Sequence, residues 1–207
     1  EISSMKHGHP MAAKKQLAFA LVERFHSRTE AEKAQEHFEK QFSKKELAEF
    51  LGLSRESVRH IGMAGLLHDL GKIRIPLEIL NKPGRLSPEE RAVVEAHPVD
   101  GARILLSGHD PLDLAALVAY EHHLMLDGGG YPCLHYPRNA QFASRLVHVC
   151  DVYDALRTKR PYREAWESER AMAYIEERAG REFDPEIARA FITMMRKSEG
   201  NVVMQQA

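Results

Sequence analysis

Histidines and aspartates recur along this chain at intervals of roughly one helical hairpin, on faces that are otherwise apolar. Ile61, Ala64 and His68 have the spacing that places them on one face of a helix. Successive helices can bring such residues together at the centre of one bundle. The residues in this pattern are His68, Asp69, His97, His122, His123 and Asp151.

The composition of this set favours metal binding. Asp151 shares a helical face with Val147 and Cys150, and a buried carboxylate without a partner is costly, so it requires a metal, another cation or a proton. Imidazole together with carboxylate suits Zn, Fe, Mn or Ni, and an adjacent His-Asp pair allows the carboxylate to bridge two ions. An isolated His-Asp pair is commonly only a helix end, but the joint pattern predicts a dinuclear metal centre.

Six of the remaining histidines lack this pattern, so we expect them at the surface or hydrogen-bonded in the core. They are His7, His9, His60, His109, His135 and His148.

Apolar residues at helical spacing predict an all-α fold, because no run alternates long enough to indicate a strand. Ser87 is expected to cap a helix with Pro88 in its first position. Residues 72–84 are expected to be extended, and residues 128–132 to form a loop. The predicted helices cover two segments within 12–50, then about 54–71, 87–97, 98–106, 113–123, 141–156, 167–179 and 185–196.

Composition and charge exclude several classes of protein. The formal net charge is -1, which gives no overall basic surface for a polynucleotide. The longest apolar stretch, residues 114–120, is far shorter than the roughly 20 residues that cross a bilayer. With Cys133 and Cys150 as its only cysteines and no signal-peptide pattern at its start, the chain is predicted to be cytoplasmic.

The histidine and aspartate motifs, in the order in which they occur along the chain, resemble those of the HD-GYP branch of the HD phosphohydrolases. The resemblance covers about residues 51–196 and implies a helical-bundle catalytic domain over residues 44–200. It further implies hydrolysis of cyclic di-GMP to pGpG, to GMP or to both, with two metal ions and a third left open. Fe or Mn is favoured, and Zn or Ni stays open. The matching stretches are residues 68–72, 75–76, 97–101, 122–123, 127–132, 151–156, 160–163 and 180–185.

The resemblance also assigns roles to individual residues. It implies that Asp69 bridges the ions, that His68 and Asp151 bind one ion, and that His97, His122 and His123 bind the other. Water or hydroxide between the ions would be the nucleophile. Asp69 and Lys72 are the implied catalytic residues. The implied substrate-binding residues are Lys72, Arg160, Arg163 and Tyr131.

For the loop Gly130-Tyr131-Pro132, a structural turn and a direct contact with substrate or partner both stay open. The resemblance implies coupling to a diguanylate cyclase or a regulatory domain through this region.

Two positions depart from the family pattern. Leu124 stands where the family usually has Glu, and the family's first-helix histidine falls on Phe38. His37 is adjacent but would point about 100° around the helix, so its participation is left open. We therefore expect one weak metal site and an enzyme with impaired activity. The alternatives are a module that binds cyclic dinucleotides without turnover and an HD phosphohydrolase acting on another phosphoester.

The N-terminal segment resembles the helical stretch that follows the catalytic domain of bacterial tyrosyl-tRNA synthetases, through residues 9–18, 22–26, 31, 34–38 and 42. Residues 1–43 are therefore interpreted as a helical extension from a natural or engineered fusion, with chance similarity of charged helices as the alternative, and residues 201–207 as a tail. Aminoacylation is not expected, because residues 60–63 only mimic the ATP-binding signature. A homodimer is left open.

Overall fold

The computed structural model describes residues 43–107, 112–133, 139–159 and 163–205. Apart from a 3-10 helix, Leu70–Arg74, the regular elements of this part are α-helices. Its β-type pairing includes the isolated bridges of Leu124 with Gly130 and of Ala179 with Phe183. The predicted all-α class is confirmed. The helices are α1 Ser43–Phe50, α2 Arg55–Leu67, α3 Leu77–Leu80, α4 Pro88–Glu95, α5 His97–Leu106, α6 Asp113–Glu121, α7 Phe142–Arg157, α8 Ser168–Glu177 and α9 Pro185–Gln205.

Helix starts follow the capping signals of the sequence. The backbone N–H of Glu90 donates to Ser87 Oγ at 3.2 Å, and Ser87 N–H donates to Glu90 Oε2 at 2.7 Å, which completes a capping box at α4. At α9, Asp184 Oδ1 accepts hydrogen bonds from the backbone N–H groups of Glu186 and Ile187. Both predicted helix starts are confirmed.

Two segments differ from the prediction. Residues 72–84, expected to be extended, contain the end of the 3-10 helix and α3. The hydrogen bonds from Lys72 N–H to Asp69 O and from Ile75 N–H to Lys72 O stabilise this tight turn, and a proline is tolerated where a helix begins. α9 continues past Arg196 to Gln205, into the segment interpreted as a tail, because a single glycine costs a helix only about 1 kcal/mol.

Residues 44–207 form one compact unit, with α6 and α7 at its core. α6 packs against α2, α5 and α7, while α7 also packs against α8 and α9. Small side chains such as Ala115 and Ala119 are buried on α6, where they permit close helix contacts. The apolar residues that are completely buried include Val118, Leu146, Val147, Ile175 and Phe191.

Among the described helices, none combines the length and the apolar character that crossing a bilayer requires. Several positions discussed above lie outside the described residues. They are the extension over residues 1–42, with His7, His9, His37 and Phe38, and also His109, His135 and Arg160.

Candidate metal centre

The predicted metal ligands meet between α2, the 3-10 helix, α5, α6 and α7. His68 directly follows α2, Asp69 precedes the 3-10 helix, and Asp151 lies within α7. One group comprises Asp69, His97, His122 and His123, and the other comprises His68, Asp69 and Asp151. Within each group the potential ligand atoms all lie within 4.8 Å of one another.

Asp69 belongs to both groups, and its two carboxylate oxygens face different histidines. Oδ1 lies 3.3 Å from His97 Nε2 and 3.7 Å from His122 Nε2, whereas Oδ2 lies 3.5 Å from His68 Nε2. Oδ1 is buried and accepts no hydrogen bond within the described structure. A carboxylate placed between two donor sets in this way fits the bridging position of a dinuclear site.

Three of the imidazoles are held by the same type of backbone contact. Nδ1 lies 2.8 Å from Gly65 O in His68, 2.7 Å from Val94 O in His97, and 2.8 Å from Ala119 O in His122. A carbonyl oxygen only accepts, so Nδ1 carries the proton and Nε2 of the neutral ring is free to bind a metal. These donors, with the two carboxylates, fit divalent transition-metal ions.

Burial keeps two of the histidines neutral. It lowers the pKa of His123 to about 3 and lowers that of His122 well below its usual value. Burial raises the pKa of Asp69 and of Asp151, but neighbouring groups reverse the effect. His97, His68 and Lys72 lower the pKa of Asp69, and His68 lowers that of Asp151, so both carboxylates are ionised. His122, His123 and the two carboxylates are therefore in the protonation states that metal binding requires.

The loop that follows His123 folds back over it. Gly130 has φ +83°, and a Cβ there would collide with the carbonyl oxygen of His123. Tyr131 N–H donates to that oxygen at 3.3 Å, and the Tyr131 ring centroid lies 4.4 Å from that of His123. The Gly-Tyr-Pro motif thus forms a turn that packs an aromatic ring against a predicted metal ligand.

A cavity of about 490 Å³ borders this turn. Tyr131 lines it and also contacts His97 and His123, so the cavity adjoins the metal ligands. Its other lining residues come from the segment before α4 and from α4 itself: Gly84, Arg85, Leu86, Arg91, Val94 and Glu95. The site therefore combines a cluster of metal ligands with space for a small molecule.

The predicted substrate-binding residues lie at different places. Lys72 Nζ is 2.6 Å from Asp69 Oδ2, so this cation lies at the metal ligands. Arg163 donates to Ala155 O at 2.6 Å and its guanidinium lies over the Trp166 ring, near the end of α7. The substrate contacts of these residues stay predictions.

Residues outside the predicted set also shape the centre. His148 was expected at the surface or in the core; it is buried, and its Nδ1 donates to His122 O at 2.7 Å. Glu121, fully buried, accepts hydrogen bonds from Gln141 N–H and Ser144 Oγ, which ties the end of α6 to the start of α7. For His148, the one sequence signal of this position was its helical spacing from Asp151.

Comparison with known proteins agrees with this geometry. The chain is 44% identical over 147 residues to the cyclic di-GMP phosphodiesterase response regulator RpfG of Xanthomonas campestris, covering 70% of this chain and 39% of that protein. It is 42% identical over 146 residues to the cyclic di-GMP phosphodiesterase PA4108 of Pseudomonas aeruginosa, covering 70% and 35%. It is 35% identical over 142 residues to the 3'3'-cGAMP-specific phosphodiesterase 2 of Vibrio cholerae, covering 68% and 27%. The chain thus spans well under half the length of these relatives.

A solved structure shares the fold. It is that of Bd1817, described as an HDG"Y"P protein from Bdellovibrio bacteriovorus, with a TM-score of 0.60 and 19% identity, covering 88% of this chain and 62% of that one. The sequence model of the HD-domain family matches residues 10–187. That match takes in most of residues 1–43, and it lends no support to the resemblance to a synthetase. The chain belongs to the HD-domain family.

Proposed function

We propose that this chain is the catalytic part of a metal-dependent phosphodiesterase that hydrolyses cyclic di-GMP. The observation that carries the proposal is the pair of donor groups that share the Asp69 carboxylate. The names of the relatives, cyclic di-GMP phosphodiesterases at 42–44% identity, support the same substrate. We assign the chain to the HD-GYP branch on these grounds.

In this proposal each donor group holds one divalent ion. His68 and Asp151 bind the first, His97, His122 and His123 bind the second, and Asp69 binds both. Two bound cations supply a water of lowered pKa and stabilise charge on a phosphoryl oxygen. Fe or Mn is the favoured metal, with Zn or Ni and a third ion left open.

The residues around the ligands fit an anionic nucleotide. Lys72 lies at Asp69 and offers a positive charge to a phosphate at the ligand cluster. Arg85, Arg91 and Tyr131 line the adjoining cavity, where an aromatic ring and guanidinium groups suit a base and a phosphate. Arg160 and Arg163 remain the proposed contacts to the rest of the substrate, and pGpG, GMP or both are the proposed products.

The direct test is hydrolysis by purified protein. The chain is stripped with chelator, reloaded with Mn(II) or Fe(II) and incubated with cyclic di-GMP, and the products are separated by chromatography. We expect linear pGpG or GMP, lost in His97→Ala and in the chelated protein, and retained in the exposed control His60→Ala. Intact cyclic di-GMP in every sample, with metal bound, would exclude this activity.

A second candidate is hydrolysis of 3'3'-cGAMP, favoured by the relative named as specific for that dinucleotide. A panel of cyclic di-GMP, 3'3'-cGAMP and a simple phosphodiester separates the two and also tests a broader phosphohydrolase activity. Calorimetry that shows nucleotide binding without product would instead select the sensor module, in which turnover is lost.

Other aspects of the proposal concern the cellular setting. We propose a cytoplasmic protein that works with a diguanylate cyclase or a regulatory domain. Light scattering of the purified chain tests the homodimer left open by the sequence.

A further inference from the structure

Lys44 is a buried lysine that the proposed activity does not use. It lies in the first turn of α1, only 4% of it is exposed, and its Nζ has no hydrogen-bond partner within the described structure. The neighbouring Lys45 is exposed. A buried ammonium group is costly unless negative charge lies nearby, so the position of Lys44 calls for an anionic partner.

The side chain of Lys44 reaches this position across Gly65. Lys44 Cδ lies 2.7 Å from the point that a Cβ on Gly65 would occupy, so a larger residue there would displace the lysine stem. The carbonyl oxygen of the same Gly65 holds His68 Nδ1 at 2.8 Å. Lys44 therefore packs directly behind the backbone that orients His68.

The nearby negative charge is on the metal ligands. Burial raises the pKa of Asp151, but the contact with His68, together with the charge of Lys44, lowers it below its usual value. His68 Nε2 lies 3.3 Å from the same carboxylate. The Lys44 ammonium thus balances charge in the group of His68, Asp69 and Asp151.

The two donor groups are consequently unequal. Among the described residues, the group of Asp69, His97, His122 and His123 offers four ligands, whereas the group of His68, Asp69 and Asp151 offers three. In the part of the chain that the structure describes, a buried lysine, Lys44, acts on a carboxylate of the smaller group, Asp151. A fixed positive charge close to a ligand repels a divalent cation and weakens its binding.

We propose that the positive charge of Lys44 weakens metal binding by the His68–Asp69–Asp151 group. This group therefore binds a divalent ion more weakly than the Asp69–His97–His122–His123 group does. The inference rests on the metal centre of the proposed function but not on its substrate. It assigns Lys44 the control of metal occupancy at one half of the centre.

The test is titration of chelator-treated protein with Mn(II), followed by calorimetry and by the electron paramagnetic resonance of free Mn(II). Wild type should show one tight ion and a second bound at least ten-fold more weakly. Lys44→Met, which keeps the apolar stem and removes the charge, should tighten the second ion about ten-fold and leave the first unchanged. Lys45→Met is the matched control and should behave as wild type does.

Further variants keep the test decisive. Lys44→Arg retains the charge and should keep the second site weak, and Asp151→Asn should abolish the weaker site alone. If Lys44→Met does not give a cooperative thermal transition, Lys44→Gln replaces it in the titration. Two equally tight ions in wild type, or an unchanged second affinity in the folded charge-removing variant, would overturn the inference.

The results of the Mn(II) titrations do not depend on whether the protein hydrolyses cyclic di-GMP. A protein that binds Mn(II) in this pattern but leaves cyclic di-GMP intact contradicts the proposed function and supports the inference. A protein that cleaves cyclic di-GMP and binds two ions equally tightly supports the proposed function and contradicts the inference.

Discussion

The carbonyl oxygen of His97 lies against Cα of Gly71 so closely that a Cβ at residue 71 would collide with it. The same Cβ would lie 2.6 Å from Gly101 N. The 3-10 helix after Asp69 and the first turns of α5 therefore touch backbone to backbone. This contact brings Asp69 Oδ1 within 3.3 Å of His97 Nε2 and joins two parts of the metal centre.

Replacing Gly71 with alanine should therefore separate Asp69 from His97. We expect Gly71→Ala to lower the free energy of unfolding by about 1–3 kcal/mol, as overpacked cores do. Mn(II) affinity at the group containing His97 should fall by at least ten-fold. Thermal unfolding and Mn(II) titration of the same samples measure the two effects.

Gly62→Ala is the matched control for that substitution. Gly62 lies within α2, and a Cβ there would come no closer than 3.8 Å to the Lys45 side chain. We expect the control to be stabilised by up to about 1 kcal/mol, since alanine favours a helix more than glycine does. Normal Mn(II) binding by Gly71→Ala would show that metal binding does not require the backbone contact between Gly71 and α5.

His148 is predicted to be a positioning residue for the two adjacent histidine ligands. Its Nδ1 donates to the carbonyl oxygen of His122, and its Nε2 lies 3.8 Å from Glu182 Oε1. His148→Ala removes the donor behind His122, and loss of such supporting contacts typically weakens metal binding by about 10–100-fold. Mn(II) titration should show this loss at the tight site.

A purely structural effect of His148 can be separated from positioning. The control His60→Ala removes an exposed histidine and should change neither metal affinity nor thermal stability. If His148→Ala only lowers the melting temperature while Mn(II) affinity stays normal, His148 contributes to the core and does not position His122.

Tyr131 is predicted to form part of the substrate site. Its ring packs on His123 and lines the adjoining cavity. Stacking of a base on an aromatic ring contributes about 1–3 kcal/mol. Tyr131→Ala should therefore raise KM for cyclic di-GMP roughly ten-fold, whereas Tyr131→Phe, which keeps the ring, should retain most of the affinity. Equal KM values for the two variants and wild type would contradict a stacking contact.

Local sequence signals predicted the parts of the fold that depend on neighbouring residues. The capping box of Ser87 and Glu90 needs only residues within one turn, and α4 begins where the sequence indicated. The inward position of His68 followed from helical periodicity for the same reason. The prediction of a dinuclear metal centre also used the spacing of the histidines and aspartates over several successive helices.

Features that depend on contacts between distant segments were not predictable in this way. The turns between Lys72 and Gly84 form where Gly71 packs on α5, although their prolines indicated extended chain. Lys44 belongs to a lysine-rich stretch typical of a solvated surface, yet Gly65 gives it room to be buried. The sequence alone does not show that Gly65 packs against the Lys44 side chain, or that the Lys44 charge acts on Asp151.

The metal-free protein should lose stability as pH falls from about 6.5 towards 3. Burial lowers the pKa of His123 to about 3, whereas the unfolded chain titrates near 6.5, so the unfolded state binds more protons in this window. His123 alone should therefore lower the free energy of unfolding by about 2 kcal/mol between pH 7 and pH 5. The lowered pKa values of Asp69 and Asp151 act only below about pH 4, so they do not affect the measurements between pH 5 and pH 7. Urea unfolding of chelated protein at pH 5, 6 and 7 measures the slope, which His123→Gln should reduce and the exposed control His60→Gln should not. A slope that His123→Gln leaves unchanged would show that His123 is not held neutral by burial.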